Sequence, residues 1–203
     1  MLYHNPSPYS LAQERGFTLV ELLIVMILSL IVSLAFYTFF KSDLFLYLNL
    51  QADASNFTTL AAESERVATV VRGITDITSV SSNDLQIYAY FAPTDTYVSQ
   101  VHYYLNAAQT ELLVDVTPMT ANPPTGTPIT NQKKTYIIID NFKQSPNTNL
   151  FVYLDGAGNP LTLPITDLTT IKGVQINLAV AATPQNNQAM TVQVSLRNRK
   201  TNL

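Results

Sequence analysis

One carboxylate, Glu21, stands near the start of an apolar run that is otherwise uncharged after Arg15, in the stretch R-G-F-T-L-V-E-L-L-I-V-M-I-L-S-L-I-V-S-L-A-F-Y-T-F-F from Arg15 to Phe40. No residue from Leu22 to Phe40 is charged. At about 1.5 Å per helical residue, that length is close to the roughly 30 Å of hydrocarbon in a bilayer. A charge within such a run costs on the order of 2.5 to 3.5 kcal/mol at the centre of a membrane helix, so where one occurs it is paired or functional. The chemistry this spacing offers is ion pairing in a low-dielectric setting, and Glu21 needs a cation to complete it.

The remaining reactive residue types offer less. There are two histidines, His4 and His102, and the second falls in an alternating strand pattern that reads as a solvent-facing sheet residue rather than a base or ligand. No Ser-His-Asp arrangement can be argued from spacing, and neither a glycine-rich phosphate loop nor an H-E-x-x-H pair is present. With no cysteine in the chain, disulfides, thiolate nucleophiles and cysteine metal sites are all excluded. Asp140 and Asp155, together with carbonyls near the Gly156 to Gly158 turn, are weak candidates for a calcium site. The simpler reading is a turn whose aspartate caps its own backbone. We therefore expect no enzyme activity, no resident metal and no cofactor.

The residues from Arg15 to Phe40 resemble the N-terminal signature of type IV pilins and of the pseudopilins of type II secretion and competence systems. Gly16, Phe17, Thr18, Leu19, Glu21, Leu22 and Leu23 all fit it. The resemblance implies that a prepilin peptidase cuts between Gly16 and Phe17 and methylates the new amine of Phe17. It also implies assembly through the apolar helix, with a platform protein, an assembly ATPase and other pilin subunits as partners. The physical logic agrees: cleavage creates a cationic amine at the end of an apolar helix, and Glu21 is the anion nearby. In a bundle, the amine of one subunit can meet the Glu21 of another, neutralising two charges that are costly alone. Head-to-tail pairing of that kind builds filaments.

A secretory signal peptide would place a basic segment before an apolar core of about 7 to 15 residues and a small-residue cleavage site after it. Here the run is longer and the candidate cut precedes it. The first sixteen residues hold only His4, Glu14 and Arg15 as acidic or basic side chains, while Lys41 follows the run, so charge bias leaves the orientation open. The resemblance implies a cytoplasmic leader and a globular part on the other side. It also marks a departure: many pilins close a C-terminal loop with a disulfide, which this chain cannot form.

Four segments are expected: a leader over 1–16, a transmembrane and filament-core helix over 17–40, its amphipathic continuation over 41–75, and a β-rich globular part over 76–203. Leu46, Leu50, Asp53, Phe57, Leu60, Ser64, Val67, Val71 and Ile74 recur at steps of four and three, so one helix face is meant to be covered. Gln51, Glu63, Glu65, Arg66 and Arg72 lie on the other side, and no proline interrupts the stretch from Gln13 to Asp84. Gly73 is the expected stop, which gives a helix on the order of 85 Å long. A coiled coil would need more heptads, and a β-rich segment follows directly.

Strands are expected at Leu85–Phe91, Val101–Leu105, Glu111–Val116, Thr135–Asp140 and Leu150–Leu154. A turn at Asn106 to Gln109 joins the second to the third, and a proline-rich connection follows over Pro118 to Pro128. The last hairpin pairs Val174, Ile176, Leu178 and Val180 with Val192, Val194 and Leu196 across Pro184 to Gln188. The fold class is α+β: a long N-terminal helix, membrane-spanning in its first half, packed on a C-terminal antiparallel sheet, which resembles the pilin fold.

Charged residues make up only 12% of the chain and the net charge is -3, so no strong field steers it toward nucleic acid. Arg197, Arg199 and Lys200 read as a solvated chain end, and the tyrosines as packing residues. The length and the extended last hairpin resemble minor pilins and pseudopilins more than a compact major subunit. Alternatives are the major subunit itself, or a surface binding module on a permanent single-helix anchor.

Overall fold

The computed structural model describes residues 18–144, 148–183 and 186–197. The chain divides between Leu48 and Asn49 into two units, and helix α1 (Leu19–Arg72) contributes to both. In the first unit α1 is rich in Leu, Ile, Val and Phe and has no proline, and every residue from Leu19 to Leu48 is exposed. Nothing within the described chain covers it.

In the second unit α1 buries one face. Leu60, Ser64, Val67, Ala68, Val70 and Val71 are enclosed, and the apolar members among them share one core with residues of both sheets. The predicted stripe is therefore covered only in its last turns: Leu46, Leu50 and Phe57 have the right periodicity but are exposed. The helix ends at Arg72. The Gly73 N–H donates to the carbonyls of Thr69 and Val70, and the Ile74 N–H to that of Val71. Gly73 is not in the left-handed conformation, so the expected glycine cap is replaced by a tightened last turn that delivers Ile74 into the core.

Among the described residues eight strands follow where one sheet was expected, and they form two. The first sheet is an antiparallel meander in the order β1 (Asp76–Val80), β2 (Asp84–Ala89), β3 (Ser99–Leu105), β4 (Leu112–Pro118), β5 (Lys134–Ile139). Strand β1 was not anticipated from the sequence. Only its Ile77 is buried and the register shifts between Ile77 and Ser79, so no alternation marks it. The second sheet has the order β6 (Phe151–Leu154), β7 (Gly173–Thr183), β8 (Asn186–Ser195). The expected facing residues of the last hairpin do pair, Val174 with Val194 and Ile176 with Val192. Of the connection predicted over Pro184 to Gln188, positions 184 and 185 lie outside the described residues.

Local hydrogen bonds join the two sheets. The Phe151 N–H donates to Ser82 O at 2.9 Å. The buried Tyr153 hydroxyl donates to the carbonyls of Ser81 and Asp84, at 2.9 and 3.0 Å, and burial pushes its phenol well above the ordinary tyrosine value. Beyond β5, the Lys143 N–H reaches Ala179 O and the Ala181 N–H reaches Asn141 O. The β1–β2 turn and the exit from β5 are thus both fastened to the second sheet.

Candidate assembly and processing site

The first helical turn is built from a T-x-x-E sequence, the pattern of a capping box in which a threonine and a glutamate satisfy each other's backbone donors. Thr18 Oγ1 accepts from the Glu21 N–H at 3.3 Å. In return, Glu21 Oε2 accepts from the Thr18 N–H at 3.1 Å and from the Thr18 hydroxyl at 3.2 Å. The first intrahelical bond, from the Leu22 N–H to Thr18 O at 3.1 Å, closes the turn. The carboxylate lies at the positive end of the helix dipole, where an anion is favoured.

This arrangement amends the expectation that Glu21 has only an intermolecular partner. Within its own chain it already has three hydrogen bonds to one threonine, and they fix its position. They supply no formal positive charge, and among the described residues no Lys, Arg or His pairs with it. Thr18 is the residue whose role the sequence reading missed, although the spacing of Thr18 and Glu21 carried the signal. Gly16 and Phe17, the expected cleavage and methylation positions, lie outside the described residues. Phe17 directly precedes Thr18 in sequence, so a cut after Gly16 puts the new amine one residue before this cap.

The apolar segment behind the cap begins a helix long and apolar enough to cross a membrane. Its surface is uniformly apolar and exposed through Phe40 except for Ser29, Ser33 and Thr38, and the Thr38 hydroxyl donates to the Ala35 carbonyl within its own turn.

The other candidate residues are not brought together into a reactive cluster. Asp155 caps its own turn: its Oδ1 accepts the N–H groups of Ala157 and Asn159, both at 2.8 Å, and its Oδ2 accepts the Asn159 side-chain amide. These bonds, that of the Asn159 backbone first, hold its carboxyl below the usual range. Asp140 lies just past β5 and is exposed. Among the described residues no three His, Asp or Glu side chains gather in a set able to hold a metal. Of the terminal cations, Arg197 is exposed, while Asn198, Arg199 and Lys200 lie outside the described residues.

His102 is half-buried and paired rather than bare. Its Nε2 lies 2.6 Å from Asp84 Oδ2, and its ring stacks on Tyr104 with centroids 4.8 Å apart. Opposite it on β4 is Asp115, 6% exposed, which accepts from the Thr135 hydroxyl at 2.5 Å and meets Lys133 Nζ at 2.6 Å. Burial opposes the Asp115 charge, but the hydrogen bonds from Lys133 and Thr135 outweigh it and keep the carboxyl below its ordinary value. The same bond raises the Lys133 ammonium above its own. This ion pair ties β4 to the residue that leads into β5.

Residues 11–37 match the family model described as the prokaryotic N-terminal methylation motif. A search of curated proteins gives no match. The matched stretch spans Gly16, Phe17, the Thr18–Glu21 capping box and most of the apolar run, and it marks the N-terminus of this chain as a type IV pilin- or pseudopilin-like prepilin leader.

Proposed function

We propose that the chain is a structural subunit of a type IV pilus-like filament, a minor pilin or pseudopilin, with no catalytic activity of its own. The observation that carries this reading is an anion fixed by a capping box at the head of an exposed apolar helical segment that is uncharged from Leu22 to Phe40, directly after a Gly-Phe pair. Peptidase cleavage between Gly16 and Phe17 exposes an amine at that end, and methylation keeps it cationic. When one subunit docks beside another, the amine of the newcomer meets the Glu21 of its neighbour. In hydrocarbon, two isolated charges are costly and a paired set is far less so. The capping box adds preorganisation, since the carboxylate does not have to be immobilised on docking. Such contacts also cover the apolar surface of the first unit.

On this reading the precursor sits in the cytoplasmic membrane with a single pass and its β-rich part outside, and it then enters a cell-surface filament. Its partners are sibling pilins, a prepilin peptidase, a platform protein and an assembly ATPase. The long β7–β8 hairpin supports a priming or capping subunit rather than the bulk repeat. N-terminal sequencing of the protein recovered from cells is the test. The expected first residue is N-methylated Phe17, and a chain retaining residues 1–16 would instead mark a permanent anchor carrying a surface module. Quantitative mass spectrometry of sheared filaments then separates minor from major, with equimolarity to the bulk subunit as the result that excludes the minor role.

A further inference from the structure

A hollow of about 610 Å³ lies at the β5 edge of the first sheet. That is within the roughly 300 to 1,000 Å³ of small-molecule sites. Tyr136 pairs with Val114 and Lys134 with Val116, so both stand on the core-side face of the sheet. Because β5 is the edge strand, however, they extend past the covered core into solvent. The floor is Val116 and the buried Ser99, which is 4% exposed.

The walls combine open aromatic faces with neutral polar groups. Tyr97 is 45% exposed and Tyr136 38%. Phe91 stacks on Tyr136 with centroids 5.6 Å apart and an interplanar angle of 23°, and the Arg66 guanidinium lies 5.2 Å from the Phe91 centroid. Phe91 is thus committed to its neighbours and backs the platform, while the two tyrosines offer free ring surface. The Asn131 and Gln132 amides and the Thr96 hydroxyl join the rim, and each supplies both a donor and an acceptor. The formal charges on the lining are one carboxylate, Asp95, and one ammonium, Lys134. Asp95 Oδ2 accepts the Ala92 N–H at 2.8 Å, which holds that carboxylate in place and leaves Oδ1 available.

We propose that this hollow binds a neutral saccharide. A pyranose has one face of C–H bonds whose slightly positive hydrogens suit the negative face of an aromatic ring. Its edge of hydroxyls both donates and accepts, as this rim does. An anionic ligand would meet no net positive charge, a lipid chain would leave the amides and the carboxylate unpaired, and a proline-rich peptide would use the ring faces but match only the donors. None of these residues belongs to the N-terminal motif, so the site goes beyond the filament role and stands or falls separately from it.

The full-length chain, held in a detergent with no sugar headgroup, is titrated with lactose, maltose, cellobiose and diacetylchitobiose by saturation-transfer NMR and calorimetry. At least one is expected to bind, with transfer strongest to ring C–H protons. Tyr136→Ala and Tyr97→Ala should each weaken it by about tenfold or more, the loss of one stacking surface. Tyr136→Phe, which keeps the ring, should retain most of the affinity. Ile137→Ala is the control, since Ile137 is 60% exposed and pairs with Leu113 on the other face of the strand, and it should change nothing. Failure of all four sugars to bind, affinity that survives both tyrosine-to-alanine changes, or capture of a deca-proline peptide in their place would each overturn the assignment.

Discussion

The two halves of α1 share a backbone and an apolar character but differ in what their side chains meet. From Leu19 to Leu48 every side chain faces outward in the isolated chain. From Leu60 to Val71 one face is sealed into a core with both sheets. On the function proposed above, the surface of the first half is buried by lipid at one stage and by other subunits at another. The second half draws its stability from its own β-rich unit. Substitutions in the two halves should therefore register in different assays.

The largest effect on folding is expected from Val67→Asp, which puts an uncompensated charge where no surface is exposed. It should cost more than about 4 kcal/mol, and limited proteolysis should show the β-rich unit degraded. Resistance equal to wild type would mean that the helix does not depend on the sheets.

Asp115→Asn comes next, at about 1 to 3 kcal/mol, since it removes a charge-assisted bond to Lys133 at a buried position. Its pH signature has a definite sign. The folded carboxyl titrates below the unfolded value of about 3.9, so its contribution is complete above that value and is lost as pH falls through the lower folded one. Melting temperatures of wild type and variant should converge on acidification below about pH 4. A constant gap would remove the ion pair from the account.

Glu21→Gln should leave the melting of the β-rich unit within about 0.5 kcal/mol of wild type, because the amide oxygen still accepts from Thr18. Filament entry, read by immunoblot of sheared filaments, should nevertheless fall sharply. Incorporation at the wild-type level would show that the cap matters and the charge does not. Leu28→Ala should be the mildest of the four for folding, again within about 0.5 kcal/mol, as Leu28 is exposed and touches no core.

Much of this division was legible in the sequence. The uncharged run, the stripe and the alternating strands each depend on periodicity within one element, and periodicity is local. What covers a face is not local, which is why Leu46, Leu50 and Phe57 match the pattern of Leu60 and Val67 and yet lie exposed. The joining of the two sheets was hidden for the same reason: it depends on Phe142 and Lys143 meeting β7, a pairing no short window reveals. Asp115 occupies an outward position by alternation and is buried only because Lys133, Thr135 and Tyr104 converge on it. At the N-terminal site the charge was readable and its geometry nearly so, since Thr18 and Glu21 have capping-box spacing.

The stretch from Pro118 to Pro128 reads as mere connection, but its interior is closely tied. The Thr120 N–H bonds to Thr127 O, the Gly126 N–H to Asn122 O, and Asn122 Oδ1 receives the Val98 N–H. A methyl group on Gly126 would fall 1.7 Å from the Ala121 carbonyl oxygen, so only hydrogen fits there. A segment fastened in this way behaves as masonry rather than rope. Lineages could recolour its outward residues, such as Thr125, and so alter what the subunit displays while the course of the main chain stays the same.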